Sequence, residues 1–127
     1  MRGQISFLAP PPGLSPLVDF TLREIDGAAG LFVLEAVEKD GVRLFVLDAG
    51  TCLPDYTPVI SDEQSAALGL GQPEDAVVLV VANAGPSGTT VNLMAPIVVN
   101  KSTGVCAQVI LEGHDWPLQL PLGQRAA

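Results

Sequence analysis

Short apolar segments alternate with turn residues along the chain, and this pattern predicts strands rather than helices. The clearest pair is Leu31–Val37 and Val42–Asp48, which flank the polar segment Glu38-Lys39-Asp40-Gly41. An Asp-Gly dipeptide between two apolar segments indicates a β-hairpin, because glycine adopts the positive φ that tight turns need. An earlier strand is predicted over Gly3–Leu8, and a proline-rich loop follows it.

The second half of the chain continues the strand pattern. Ala76–Ala82 is apolar throughout and predicts a strand that is buried on both faces. Thr89–Met94 predicts the next strand. Ile97–Val99 and Val105–Leu111 predict another hairpin around residues 100–104. In Val105–Leu111 every second residue is apolar, so we expect that strand to be half-buried.

One segment carries the start and stop signals of a helix. Ser61 is suited to the N-cap, and Gln64 three residues later completes a capping box. Asp62 and Glu63 in the first turn are favourable near the positive end of the helix dipole. Gly69 is suited to ending the helix. These residues predict one short helix, over about residues 62–69.

Many short strands with one helix in 127 residues predict a mostly β fold. We expect a single-domain antiparallel β-barrel-like roll over residues 1–127, since rolling up a sheet limits its exposed edges. Six apolar residues in the predicted strands are expected in the core: Val78, Val80, Ile97, Val98, Val109 and Leu111.

The charge balance excludes several classes of partner. The chain has 6 Lys and Arg against 14 Asp and Glu, a formal net charge of −8. Direct binding to nucleic acid or to an anionic membrane needs basic surface, so we expect neither. No apolar run reaches the length of a membrane span, and the N-terminus lacks the pattern of a secretory signal. We therefore expect a cytoplasmic protein, and we expect it to be a monomer.

Negative charge is concentrated in the middle of the chain. From Leu44 to Asn100 there is no Lys or Arg. This segment contains Asp48, Asp55, Asp62, Glu63, Glu74 and Asp75. Two interpretations stay open: ordinary solubility, and electrostatic steering of a basic partner.

Candidate catalytic and metal-binding residues are few. Cys52 and Cys106 form no CxxC motif, and two reduced thiols are favoured over a disulfide in a cytoplasmic protein. His114 is the only histidine and is expected in a surface loop. Trp116 is expected either to plug one end of the barrel or to act as an anchor in partner recognition. We therefore predict no catalytic residues, no metal site and no cofactor.

Polar residues at predicted turns and strand ends are the remaining candidates. Each has a structural and a partner-binding interpretation. A tyrosine at a Pro-Asp turn packs its ring and tethers its hydroxyl, or contacts a partner. An asparagine amid apolar residues fixes the fold through its amide, or presents that amide to a protein ligand. The candidate partner-binding set is Asp55, Tyr56, Glu74, Asp75, Asn92 and Asn100.

Taken in order, several short blocks resemble the FliW family of flagellar assembly factors. The most specific block is Asn92-Leu93-Met94-Ala95-Pro96-Ile97-Val98-Val99-Asn100, which follows Pro73-Glu74-Asp75. Leu53-Pro54-Asp55-Tyr56, Leu68-Gly69-Leu70 and Gln108-Val109-Ile110-Leu111 fit at the family's spacing, so the resemblance covers about Gly3 to Leu122. The early element of the family departs here, because Gly13-Leu14-Ser15-Pro16-Leu17 lacks its aromatic residue.

The resemblance implies a cytoplasmic, non-enzymatic, mostly β protein. Proteins of this family bind flagellin, and they also bind CsrA, a small RNA-binding protein that represses translation of flagellin mRNA. The resemblance therefore implies a regulator that relieves this repression by partner switching. The alternative hypothesis is a chaperone-like β adaptor that binds extended segments by adding them to a sheet edge. A small enzyme is a third hypothesis, for which the residues offer no support.

Overall fold

In the computed structural model the chain forms one nine-stranded sheet, most of which closes on itself. The structure describes residues 3–10, 14–27, 30–53, 56, 58, 60–85, 88–111 and 120–121. The strands are β1 Gly3–Phe7, β2 Asp19–Glu24, β3 Leu31–Ala36, β4 Arg43–Asp48, β5 Ala76–Gly85, β6 Gly88–Val91, β7 Ile97–Asn100, β8 Val105–Gln108 and β9 Leu120–Pro121. The helices are α1 Ala49–Cys52 and α2 Asp62–Leu68, and a 3-10 turn spans Pro73–Asp75.

Seven of the strands close a barrel. Their order is β4-β3-β2-β1-β8-β7-β5, and β4 also pairs with β5, which completes the ring. The ten residues of β5 pair with β7 at their start, with β4 in the middle and with β6 at their end. Strands β6 and β9 extend the sheet beyond the ring. The predicted fold class is therefore confirmed.

Side chains that alternate along the strands fill the barrel interior. The interior cluster includes Phe7 of β1, Phe20 of β2, Leu34 of β3, Leu79 of β5 and Cys106 of β8, all 5% exposed or less. The rings of Phe7 and Phe20 meet edge to face at 5.4 Å. Such alternation is expected, because successive side chains of a strand point to opposite faces.

Two further clusters cover the outer face of the barrel. One packs Leu47, Leu53, Val80, Val91 and Leu93 with the short helix α1. The other packs Leu68 of α2 against Val98, Val109 and Leu111. Because β5 and β7 are covered on both sides, both strands are apolar at nearly every position. Five of the six predicted core residues are buried, and Val78 is only half-buried.

The structure corrects two predictions, that of a single helix and that of a purely antiparallel sheet. A second helix, α1, begins directly after β4, where the carboxylate of Asp48 accepts the Gly50 N–H at 3.0 Å. It has four residues, which is too short for a periodic apolar pattern to reveal. Strand β1 pairs with β8 in parallel, while the other pairings are antiparallel.

Several predicted strand ends were also wrong. Strand β6 ends at Val91 rather than Met94, because Asn92 turns the chain. Strand β8 ends at Gln108, and both of its faces are packed, since Cys106 faces the interior while Val105 and Ala107 pack with the cluster of α2. The short strand β9 was not predicted, since its two residues carry no detectable pattern.

The predicted helix and both hairpins are confirmed. Ser61 accepts the Gln64 N–H, and the Gln64 side chain accepts the Ser61 N–H, as a capping box requires. Gly69 ends α2 in the left-handed conformation, with φ of 71°. Cys106 is buried and Cys52 is half-buried, and no disulfide joins the two. His114 and Trp116 lie outside the described residues.

Gly104 in the β7–β8 turn provides a test of this packing. Its φ is +80°, and a Cβ there would lie 2.8 Å from the backbone oxygen of Gln4 in β1. We expect Gly104→Ala to lower the free energy of unfolding by about 2–4 kcal/mol, from the positive φ and the backbone collision together.

Gly41 is the matched control. Its φ is +87°, and nothing lies within 4 Å of its would-be Cβ, so Gly41→Ala adds only the conformational cost of about 1 kcal/mol. Urea unfolding of both variants measures the difference. Equal losses would show that the turn does not press against β1.

Candidate functional site

The predicted partner-binding residues lie mainly where the outer face of the barrel is covered. Asn92 and Asn100 flank the segment that leads into and through β7, and Tyr56 lies in the segment between α1 and α2. Glu74 and Asp75 occupy the 3-10 turn before β5. Asp55 lies outside the described residues. The described residues of the set therefore lie around α2, at the start of β5 and in the β6–β7 turn, and do not form one cluster.

Asn100 is a buried amide that joins α2 to the barrel. It is 4% exposed, and its Nδ2 donates to the backbone oxygens of Leu68 at 2.9 Å and Gly69 at 3.3 Å. Its Oδ1 accepts the N–H groups of Ser102 at 2.9 Å and Thr103 at 3.3 Å. All of these groups are paired, as a buried amide requires. Asn100 thus fixes the end of α2 against the β7–β8 turn.

Asn92 has a simpler, local role. Its Oδ1 accepts the N–H groups of Met94 at 2.9 Å and Ala95 at 3.2 Å. This side chain therefore ends β6 and turns the chain towards β7, as asparagine does in an Asx turn. The neighbouring carbonyl of Ala95 accepts from the Gln108 side chain at 3.0 Å, which ties this turn to β8.

Tyr56 is held between the two outer clusters, which it contacts on both sides. Its hydroxyl donates to the backbone oxygen of Leu93. Burial raises the pKa of Tyr56 from 10.0 to about 12, since the phenolate would lose its water. The ring packs and the hydroxyl is tethered, as the structural interpretation of the sequence requires.

Glu74 and Asp75 lie directly before strand β5. They belong to the 3-10 turn, whose shape is set by Asp75. The Asp75 carboxylate accepts the N–H groups of Gly71 at 3.0 Å and Gln72 at 3.1 Å. Glu74 is exposed. Of this pair, only Glu74 therefore has an exposed carboxylate that is available to a partner.

A groove of about 540 Å³ opens between α2 and β5. Its apolar walls are Pro58, Ile60, Leu70, Ala76 and Val78. Its polar positions are Asp62, Ser65, Gly71 and Gln72. The groove explains why Val78 is half-buried: Val80 and Val98 beside it are covered by the two outer clusters, whereas Val78 lies between them.

The helix ends bring the groove walls into place. Leu70 follows the left-handed Gly69, and its N–H donates to the Ser65 oxygen while the Gly69 N–H donates to that of Ala66. This pair of hydrogen bonds is the Schellman motif, which folds the following apolar residue back over its helix. Ile60 directly precedes the N-cap Ser61. Apolar residues immediately outside both caps were the sequence signal for the groove, and it was missed.

The described arginines lie on strands β2 and β4, among acidic residues such as Glu24 and Glu35, and none lies on α2. The one ion pair found among the described residues joins Arg23 and Glu35 at 3.2 Å, on strands β2 and β3. Arg43 of β4 lies 5.8 Å from the ring centre of Phe45, in cation–π contact. The carboxylates of Asp62, Glu63, Glu74 and Asp75 lie instead around α2 and the 3-10 turn. The side that bears the groove is therefore acidic.

The described residues contain no group of three or more His, Cys, Asp or Glu side chains placed to hold a metal ion. In the part of the chain that the structure describes, no helix has both the length and the apolar character needed to cross a membrane. The Cys106 thiol is buried in the barrel, and burial raises its pKa from 9.0 to about 12. A thiol with so high a pKa is a poor nucleophile at neutral pH.

Comparison with protein families gives one match that spans almost the whole chain. The family model described as FliW protein matches residues 2–122. A flagellar assembly factor FliW of Thermotoga neapolitana is 32% identical over 111 residues, which is 85% of this chain and 74% of that protein. Another, of Geotalea uraniireducens, is 33% identical over 90 residues, or 69% of this chain, and the match covers only 55% of that relative's length.

A crystal structure of the flagellar assembly factor FliW has the same fold. It superposes with a TM-score of 0.85 at 22% identity, over 94% of this chain and 84% of the other. At that identity the superposition shows the fold alone. It nevertheless agrees with the closed barrel described above.

The two asparagines allow the donor role of Asn100 to be tested. In Asn100→Asp the acceptor oxygen is kept, but a carboxylate replaces the amide that donates to Leu68 and Gly69. We expect a loss of about 3 kcal/mol in the free energy of unfolding, because a buried charge then faces two carbonyl oxygens. Asn92→Asp makes the same change of charge at a side chain that only accepts, so we expect a loss within about 0.5 kcal/mol. Chemical unfolding measures both, and similar losses would refute the donor role.

Tyr56 is the only tyrosine, so its ionisation can be followed in the ultraviolet absorbance of the intact protein. We expect a midpoint near pH 12 in the folded chain and near 10 in denaturant. Because the pKa is raised on folding, the stability contributed by neutral Tyr56 is complete below about pH 10 and is lost as pH rises through about 12. Tyr56→Phe is the blank, since it has no phenol. A folded-state midpoint near 10 would show that the hydroxyl is solvated.

Proposed function

The chain belongs to the FliW family, and we propose that it is a non-enzymatic, protein-binding regulator of flagellin synthesis. In this proposal it binds flagellin and also the translational repressor CsrA. When flagellin is exported, the freed factor binds CsrA and relieves repression of flagellin mRNA translation. The observation that carries the proposal is the family match over residues 2–122.

Partner switching needs no catalytic group, only two mutually exclusive complexes of comparable affinity. Near the equivalence point, a small change in free flagellin then shifts the fraction of CsrA that is bound, by mass action. We further propose that the chain is a single-domain cytoplasmic monomer, with no cofactor and no direct nucleic-acid partner. A net charge of −8 supports the last part, since nucleic acid would be repelled.

The acidic side of the molecule supports binding of a basic partner such as an RNA-binding protein. Glu74 is its most exposed member within the predicted partner-binding set. We propose that Asn92, Asn100, Asp75 and Tyr56 contribute to partner binding chiefly by shaping the surface around α2. Their polar atoms are already used inside the chain.

The alternative, a chaperone-like adaptor that adds extended segments to a sheet edge, is favoured by one observation. Strands β6 and β9 extend beyond the closed ring, so the sheet has an open edge there. An extended segment could add a strand at such an edge. Binding of flagellin without binding of CsrA would favour this alternative.

Co-elution on a sizing column tests the proposal. The purified chain is mixed with flagellin, with CsrA, and with both together. We expect two separate binary complexes, and release of CsrA when flagellin is added. A ternary complex would refute mutual exclusivity, and the absence of either binary complex would refute partner switching.

Charge neutralisation tests whether the acidic side attracts CsrA. The variant Asp62→Asn, Glu63→Gln, Glu74→Gln leaves Asp75 in place, because its carboxylate caps the 3-10 turn. We expect isothermal titration to show weaker binding, by about tenfold at low salt, with most of the difference lost at high salt.

The control is Glu24→Gln, Glu38→Gln, Asp40→Asn, at exposed positions far along the sheet. It changes the net charge by the same amount, from −8 to −5. Affinity that falls equally in both variants would show that only net charge matters. Unchanged affinity in the first variant would refute the electrostatic hypothesis.

A further inference from the structure

The groove between α2 and β5 has the features of a binding site for an apolar side chain. Its volume of about 540 Å³ lies in the range of small-molecule and side-chain pockets. Its floor is the outer face of β5 at Ala76 and Val78, which neither outer cluster covers completely. Ile60 and Leu70 form the two ends of the wall that carries α2.

The walls of the groove are held in place by fixed contacts. The Schellman turn at Gly69 positions Leu70, and the Asn100 amide binds the backbone oxygens of Leu68 and Gly69. Asp75 fixes the opposite rim by capping Gly71 and Gln72. A pocket that is formed in advance binds at a lower entropic cost than one that must be ordered by its ligand.

The rim of the groove is acidic, and its carboxylates form no ion pair in the described structure. Asp62 lines the groove, and Asp75 and Glu74 lie at its β5 end. No Lys or Arg occurs between Leu44 and Asn100. The backbone N–H of Lys101 donates to the backbone oxygen of Asp75 at 3.0 Å. The Lys101 side chain forms no ion pair with these carboxylates in the described structure.

We propose that this groove binds an extended protein segment in which a large aliphatic or aromatic residue is flanked by lysine or arginine. The apolar side chain enters the groove over Val78, and the flanking cations lie beside Asp62 and Glu74. Acidic segments are excluded by repulsion, and purely polar segments are excluded because their side chains would lose water against an apolar floor that offers no hydrogen bond in return. The inference rests on the proposed function in one respect, that the chain acts by binding protein.

A short peptide probes the groove directly. The probe is the terminally blocked tetrapeptide Lys-Leu-Phe-Lys, titrated into the isotope-labelled full chain. We expect saturable shifts of the backbone amide signals of Ser65, Leu70, Ala76 and Val78. A peptide with glutamates in place of the lysines, or serines in place of the two apolar residues, is expected to produce none. No saturable shift with the first peptide would overturn the proposal.

A pair of substitutions on one helix separates groove filling from surface change. Ser65 lines the groove, and Ala67 on the same helix is exposed and does not. Leucine is a better helix former than serine and nearly as good as alanine, so both variants keep α2. We expect Ser65→Leu to weaken peptide binding about tenfold or more by occupying the groove, and Ala67→Leu to change it less than about twofold. Equal effects would overturn the proposal.

A second pair tests the acidic rim. Asp62→Asn and Glu63→Gln each remove one charge from the first turn of α2, but only Asp62 lines the groove. We expect a loss of about two- to fivefold for Asp62→Asn and a smaller loss for Glu63→Gln. The sizing-column experiment with flagellin and CsrA is independent of the peptide. Failure of the proposed function and failure of the groove proposal are thus distinguishable.

Discussion

The pairing of β5 with three neighbours is the constraint on which the rest of the structure depends. Its middle residues pair with β4 and close the barrel, while its two ends pair with β7 and β6. Closure places Leu79 inside and leaves Val78 and Val80 on the outer face. That outer face is apolar, so it must be covered to be stable in water. Helices α1 and α2 and the Tyr56 and Leu93 segments are the cover.

The cover is fastened by polar side chains rather than by apolar contact alone. Asn100 joins the end of α2 to the β7–β8 turn, Asn92 turns the chain after β6, and Tyr56 donates to Leu93. A short helix such as α2 is unstable by itself, so its place depends on these contacts. The groove is the part of the outer face that the cover does not reach. Its shape depends on the contacts that hold the cover in place.

The charged side chains around the groove make this surface acidic. The carboxylates of Asp62, Glu63, Glu74 and Asp75 lie on α2 and the 3-10 turn, whereas the described arginines, Arg23 and Arg43, lie on β2 and β4. A protein that works by exchanging partners needs surfaces that are formed before binding and that distinguish one partner from another. An apolar groove with an acidic rim meets both requirements, because its walls are held by hydrogen bonds within the chain and like charge repels acidic competitors.

Local sequence patterns determined much of the secondary structure of this protein. The capping box at Ser61, the glycine stop at Gly69, the Asp-Gly hairpin and the apolar segment Ala76–Ala82 each specify their own structure, because the interactions involved span only a few residues. Tertiary structure alone decided the parallel pairing of β1 with β8, the closure between β4 and β5, and the roles of Asn92 and Asn100. Those features join residues far apart in the chain, such as Asn100 and Leu68. Whether a polar side chain is buried and satisfied, or exposed to a partner, depends on what the folded chain places beside it.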